Sequence, residues 1–235
     1  MASRKKPTII GSLPLPIGGV TIHVERLLYH LEKEKITFTY VDLKKDSLKT
    51  LIIAIIRHKH IHLHTSNAYL RFLISMFCFL SLKKLTYTLH GNLGRYNDGI
   101  KNFLDRCAIK LAYRPIMLNK SSFEKALKLN SNCKLSSPFL PPNIENDVLD
   151  SVLMTMINNL RKQTRILFCT NASALSRDKD GQEIYGIFEL IEDFKKNNSF
   201  GLILSDPSGT YTKAIHEKQL SIPSNILIIL SLIHI

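Results

Sequence analysis

Short runs rich in Ile, Leu, Val and Thr recur along this chain, and stretches of helical periodicity separate them. That alternation constrains the fold most. PTIIGS (7–12) reads as a strand. VTIHVERLLYHLEKE follows as a helix, with Val20, Val24, Leu27, Leu28 and Leu31 at helical spacing. ITFTYVDL (36–43), HIHLHTS (60–66), KLTYTLHG (84–91) and PIMLN (115–119) read as further strands. Between them SLKTLIIAIIRH, the apolar stretch FLISMFCFLSL (72–82) and residues 100–112 read as helices. SSFEKALKL reads as a short helix that Ser121 can cap. Strands joined by helices argue for a parallel sheet covered on both faces.

SPFLPPN (137–143) breaks the rhythm, because its three prolines suit neither a helix interior nor a central strand. The chain therefore divides into a first domain (1–138), a linker (139–146) and a second domain (147–235). The second domain begins with a helix from about Asp147 to Lys162. RILFCT (165–170), FGLILSD (200–206) and NILII (225–229) read as strands, with QEIYGIFELIEDFKKN and SGTYTKAIHEKQL as helices between them. Three strands are fewer than a doubly wound domain usually has. The last six residues, LSLIHI (230–235), match the translation of a common sequencing adapter. The expectation is a first domain that is complete, a second that is partial, and a chain that is a fragment of a longer protein.

An apolar content of 45% with 22% charged residues fits a globular chain with a real core. Charge is uneven. Residues 1–142 carry 23 Lys and Arg against 8 Asp and Glu, a net of +15, whereas residues 143–235 carry 9 against 11, a net of −2. The first half suits an anionic partner: a phosphorylated substrate, an acidic membrane surface or a nucleic acid. Nucleic acid is disfavoured, because no RNP or helix-turn-helix signature is present and the basic stretches lack interleaved aromatics. The start, MASRKKPTIIGS, does not read as a signal peptide, and the 72–82 run is too short to span a bilayer. It reads as a buried helix. Cys78, Cys107, Cys133 and Cys169 form no CxxC pair, and Cys78 and Cys169 read as small buried hydrophobes.

HKHIHLHTS places His58, His60, His62 and His64 on alternate positions. Next-but-one residues on a strand lie about 6.5 Å apart, so four in a row cannot converge on one metal. A strand-end reading suits better: His64, Thr65 and Ser66 reach the carboxyl end of the third strand, where open α/β sheets bind ligands. His90 has the same place on the fourth strand, beside Asn92, Gly94 and Arg95. Gly18 and Gly19 lie between a strand and a helix, where backbone N–H groups can receive an anion. The loop is neither GxGxxG nor a P-loop. There is no GxSxG elbow, and Glu183, Glu189, Glu192 and Asp193 read as the solvated face of one helix.

Taken together, PIGGVTIHVERL after a strand, the strand-end IHLHTS, TLHGNLG, the proline linker and a second αβ unit resemble the family 4 glycosyltransferases of GT-B fold. The NAS…DGQEIYG segment resembles bacterial surface-polysaccharide members. The resemblance implies two Rossmann-like domains, a nucleotide sugar bound mainly to the second, and an acceptor, saccharide or lipid-linked, bound mainly to the first. It implies retaining transfer by a cytoplasmic enzyme, peripheral on the inner face of the plasma membrane, with no cofactor and no bound metal. By matching position Gly18, Gly19, Asn171, Arg177 and Lys179 would serve the donor diphosphate. His90 would approach the transferred sugar, and His64, Thr65, Ser66, Asn92 and Arg95 would line the acceptor side. The family's two glutamates eight residues apart are absent, so this chain is expected to bind donor poorly and transfer little. The alternative is a non-catalytic α/β module that binds nucleic acid or another anion.

Overall fold

The computed structural model describes residues 6–14, 18–143, 150–172, 174–177 and 181–230. These fall into two compact units that divide after Asn143. In the first, strands β1 (Thr8–Gly11), β2 (Thr39–Asp42), β3 (His60–His64), β4 (Lys84–Leu89), β5 (Arg114–Met117) and β6 (Lys134–Leu135) alternate with helices α1 (Gly19–Lys33), α2 (Leu48–Arg57), α3 (Ala68–Leu80), α4 (Gly99–Leu111) and α5 (Lys120–Leu127). The six strands are all parallel and ordered β2-β1-β3-β4-β5-β6.

Neighbouring residues of β1 serve opposite faces, as the two-residue period of a strand requires. Ile9 packs with Val24 and Leu28 of α1, while Ile10 joins Leu51 and Ile55 of α2 and Leu63 of β3. Helices therefore cover both faces of the sheet. The proline segment is held against the first unit over part of its length. Arg26 Nη1 donates to Leu140 O at 3.0 Å, and His30 Nε2 lies 3.0 Å from Pro141 O.

The second unit holds α6 (Ser151–Gln163), β7 (Ile166–Asn171), α7 (Ile187–Lys196), β8 (Phe200–Ser205), α8 (Thr210–Glu217) and β9 (Ile226–Ile229). Its parallel sheet runs β7-β8-β9. Central β8 is covered on both sides: Ile203 packs with Leu160 of α6, and Leu202 and Leu204 pack with Ile187, Ile191 and Tyr211. The chain is thus of the α/β class with two Rossmann-like parallel sheets.

Four local readings are corrected. Asn119, not Ser121, caps α5: Asn119 Oδ1 accepts from Ser122 N at 2.8 Å, and Ser121 lies inside the helix. Gly186 sits at φ 64°, in the left-handed region that favours glycine, so α7 begins at Ile187 and Glu183 is not on it. Cys169 is exposed, because β7 lies at a sheet edge. Helix α3 is only half buried. Ala68, Arg71, Ile74, Ser75 and Cys78 face inward, while Leu73, Met76, Phe79 and Leu80 are exposed. The sequence-predicted start of α6 at Asp147 lies outside the described residues, as do 231–235 of the terminal LSLIHI.

Candidate functional site

Strand order locates the site before any side chain is considered. The chain passes from β1 to β2 on one side, then returns to lay β3 on the other side of β1. The connections on either side of the β1–β3 boundary therefore run apart, which opens a crevice at the carboxyl ends of the strands. Three loops meet that edge. The first leads from β1 into α1 at Gly18 and Gly19. The second leaves β3 through Thr65 and Ser66, and the third leaves β4 through His90 and Gly91.

Gly18 is the N-cap of α1 in extended backbone and offers no capping side chain; Thr21 Oγ1 accepts from Gly18 N at 3.1 Å. A Cβ added at Gly18 or Gly19 would meet nothing within 4 Å, so open space lies beside this helix start. One turn further on, His23 faces the ends of β3 and β4. Its ring lies 4.7 Å from that of His90, edge to face, and 5.4 Å from that of His64. His64 Nδ1 and His90 Nε2 are 3.0 Å apart, a hydrogen bond between imidazoles. His62 shares a strand face with His64, as alternation demands, with the two rings 4.2 Å apart. His62 Nε2 lies 3.0 Å from Thr88 Oγ1 on β4.

These rings are held neutral. Burial pushes His62 down to about 4, with His23 adding to the effect, and burial pushes His90 down to about 3, helped by His23, His62, Arg71 and Arg95. His64 is pushed well below the ordinary histidine value, by burial first and then by His62, His90 and His23. His23 is also lowered, chiefly by burial and against a hydrogen bond to the Pro138 backbone. At neutral pH the cluster is polar and uncharged, with each ring able to donate at one nitrogen and accept at the other. His64 Nε2 is buried and has no hydrogen-bond partner among the described residues.

Around the imidazoles the loops are tied together. Ser66 O accepts from Arg95 Nη2 at 3.2 Å, Arg71 Nη2 at 3.3 Å and the Tyr96 hydroxyl at 2.9 Å. Arg95 also donates to His90 O at 3.4 Å and lies over the Tyr96 ring at 4.9 Å. Arg95 thus clamps the β3 and β4 loops to each other. Thr65 Oγ1 accepts from Asn67 N, and Asn92 Oδ1 accepts from Asn119 Nδ2, so both brace loops. Beneath them Arg71 Nη1 lies 3.2 Å from Asp105 Oδ1, both side chains 1% exposed. Burial pushes the Asp105 carboxyl up, while Arg71 and Arg95 pull it back.

The second unit uses its strand-end polar groups differently. Asn171 ends β7, level with Ser205 on β8. Arg177 Nη1 donates to Gly181 O at 2.7 Å and so closes its own loop, and Lys179 lies outside the described residues. Glu183 accepts from Ile187 N, Phe188 N and the Tyr211 hydroxyl, which makes it the cap of α7. Asp206 Oδ2 accepts from Thr212 N and Thr212 Oγ1.

Of the residues singled out from sequence, His64, Thr65, Ser66, His90, Arg95, Gly18 and Gly19 come to one edge of the first sheet. Asn92 is one loop removed. Asn171 and Arg177 belong to the other unit. Sequence reasoning missed His23, His62 as part of the same cluster, Tyr96, and the Arg71–Asp105 pair. A signal for His23 was present: it stands four residues after Gly19, one turn into a helix whose start faces the strand ends.

No family model matches this sequence, and neither does any curated protein. Solved structures do match in fold. The chain is similar to HepE from Anabaena, determined in complex with UDP (TM-score 0.57, 15% identity), covering 95% of this chain and 68% of that one. MnaA from S. aureus, in its UDP co-structure, gives a TM-score of 0.57 at 12% identity over 97% of this chain and 69% of that one. UGT89C1 from Arabidopsis thaliana, complexed with quercetin, gives 0.51 at 9% identity over 96% and 69%. At these identities the likeness is one of fold, and it places the chain among GT-B architectures.

Proposed function

We propose that this chain belongs to a retaining glycosyltransferase that moves a sugar from a nucleotide-sugar donor to a saccharide or lipid-linked acceptor in cell-surface polysaccharide synthesis. The observation that carries the reading is the meeting of His23, His64 and His90 with the start of α1 at the β1–β3 switch point. Two of the fold neighbours hold UDP, and HepE was also determined with UDP-glucose, which adds support.

As the glycosidic bond breaks, negative charge builds on the departing nucleoside diphosphate. The N–H dipoles at the start of α1, beside Gly18 and Gly19, stabilise that charge more in the transition state than in the ground state. The neutral His90 orients the donor sugar without adding a positive charge beside an oxocarbenium-like centre. His64, Thr65 and Ser66 line the acceptor side, with Asn92 and Arg95 holding their loops. No step in this scheme calls on a metal or cofactor, and no nucleic-acid partner is expected.

An anionic membrane surface is the proposed support for a lipid-linked acceptor. Tyr69, Leu73, Met76, Phe79 and Leu80 form an exposed apolar stripe along α3, and Lys83 and Lys84 follow directly. Among the described residues no helix is long and apolar enough to cross a membrane. Lys83→Glu with Lys84→Glu weakens flotation with anionic vesicles, and an unchanged flotation profile counts against docking.

The test of function is ligand-observed NMR with a panel of nucleotide sugars. The proposal expects this chain to transfer little and to bind at least one donor weakly but detectably, with that binding lost in His90→Ala. Absence of binding across the panel, or binding indifferent to His90→Ala, refutes it.

A further inference from the structure

We infer that His23, His64 and His90 form a binding site for a borderline transition-metal ion, with Zn2+ the best match. One ring nitrogen from each residue can be chosen so that all lie within 4.8 Å of one another. A tetrahedral zinc with bonds of roughly 2.0–2.1 Å holds its nitrogen ligands about 3.3 Å apart. The longest edge of the present triangle thus exceeds the ideal by about 1.5 Å at most, given zinc's usual bond lengths. His23 supplies the needed movement, since it is half-buried on a helix face rather than locked in a strand. The hydrogen bond of 3.0 Å between His64 Nδ1 and His90 Nε2 fixes these two rings relative to each other.

Three further features point to a ligand rather than to packed side chains alone. His64 is 1% exposed, and its Nε2 has no partner among the described residues, an arrangement that ordinarily calls for an explanation. The Pro138 backbone favours a proton on the His23 ring, an outer influence of the kind that orients metal-bound imidazoles. The donor set itself selects the ion. Three imidazoles and no oxygen ligand disfavour Mg2+ and Ca2+ and suit Zn2+, Co2+ or Ni2+. Three protein ligands leave a fourth position for water or an anion such as a phosphate oxygen. The nearby cations do not forbid this. Arg71 is offset by Asp105 at 3.2 Å, and exposed Arg95 is engaged with the Ser66 and His90 carbonyls.

This inference goes beyond the transferase reading and does not depend on it. The two share His90, so metal binding and a productive donor arrangement exclude one another. The alternating histidines of β3 contribute one ligand, and the other two come from α1 and the β4 loop. A metal site is therefore built across three elements, which no run of alternate positions along one strand can do.

The test uses the whole chain, stripped with chelator and desalted, then titrated with Co2+ by visible absorption and with Zn2+ by calorimetry at neutral pH. The expected result is one saturable site per chain with a tetrahedral-type Co2+ spectrum. His23→Ala and His90→Ala should each weaken it by more than about tenfold, since even outer-shell partners of a metal usually cost that much. His30→Ala, on the same helix but outside the cluster, should leave it unchanged. Circular dichroism confirms that each variant is folded; His23→Ala, at a half-buried helix position, decides the matter if His64→Ala does not fold. Absence of saturable binding overturns the inference, as does binding that survives in both His23→Ala and His90→Ala. Metal binding by a chain that, when metal-free, has no affinity for any nucleotide sugar refutes the transferase reading and leaves the metal site standing.

Discussion

The two lobes share a plan, parallel strands with polar residues at their carboxyl ends, yet they spend those residues differently. In the second lobe the connections after β7 and β8 carry carboxylates, and its own helices consume them: Glu183 caps α7 and binds the Tyr211 hydroxyl, and Asp206 holds Thr212 at the start of α8. In the first lobe Asp42 at the end of β2 is likewise spent on its own turn, accepting from Lys44 N, but the ends of β3 and β4 carry imidazoles, which bond to one another and leave His64 Nε2 without a partner among the described residues. A carboxylate bonded to the first-turn N–H groups is a structural element. A buried neutral imidazole with a spare nitrogen is chemical capacity. The contrast gives those acids of the second lobe scaffold duty and leaves polar capacity at the ends of β3 and β4, which is where the proposed chemistry is located.

The first way to break this comparison is Asp105→Ala. It leaves the Arg71 guanidinium buried and unpaired beneath the site, and breaking a buried pair typically costs about 3–5 kcal/mol. Chemical denaturation should show the loss in the first lobe's transition alone. A loss below about 1 kcal/mol, the value of a surface pair, would mean the ion pair is not buried in solution.

Acid should act next most strongly. His62 and His90, held at about 4 and 3, lie below the unfolded value near 6.5. As pH falls the unfolded chain takes up protons first. The stability that depends on neutral rings is therefore fully present above about 6.5 and is lost as pH drops toward 4. Besides burial, His23 opposes protonation of His62, and His23, His62, Arg71 and Arg95 oppose protonation of His90. In chelator the first lobe should lose about 2–3 kcal/mol between pH 6.5 and 5, each tenfold difference in proton affinity being worth about 1.4 kcal/mol. A flat profile over that window contradicts burial of the cluster.

Asp206→Ala should cost the second lobe about 2 kcal/mol, the usual size for charge-assisted hydrogen bonds lost at a buried position. It should leave Co2+ binding in the first lobe untouched. Smaller still, Asn119→Ala should cost about 1 kcal/mol as a lost N-cap. Ser121→Ala should cost nothing measurable by the same denaturation assay.

That last pair shows where sequence was legible and where it was not. The strand–helix alternation was visible because burial on both faces leaves continuous apolar runs such as PTIIGS and FGLILSD. Both strand-end histidines were visible, since a loop must follow each strand. Asn119, Ser121 and Ser122 are all good caps, and only backbone geometry selects among them: Asn119 is extended, while the serines are already helical. Gly186 was readable as a break in the 182–197 helix, and with it the release of Glu183 to a capping role. His23 stood in the PIGGVTIHVERL motif, but helical periodicity marks which residues face the sheet, not which strand end they reach, so its role was not read. Arg71 was hidden because an arginine in an apolar run gives no sign of its partner 34 residues away at Asp105.

The most direct test of the central claim is histidine-selective NMR of the metal-free chain, titrated with a nucleotide sugar. The account predicts shifts in the imidazole signals of His23, His64 and His90, while those of His30 and His58 stay in place. Donor binding that leaves all three signals unmoved would contradict it, because the ligand would then lie away from the first lobe's strand ends.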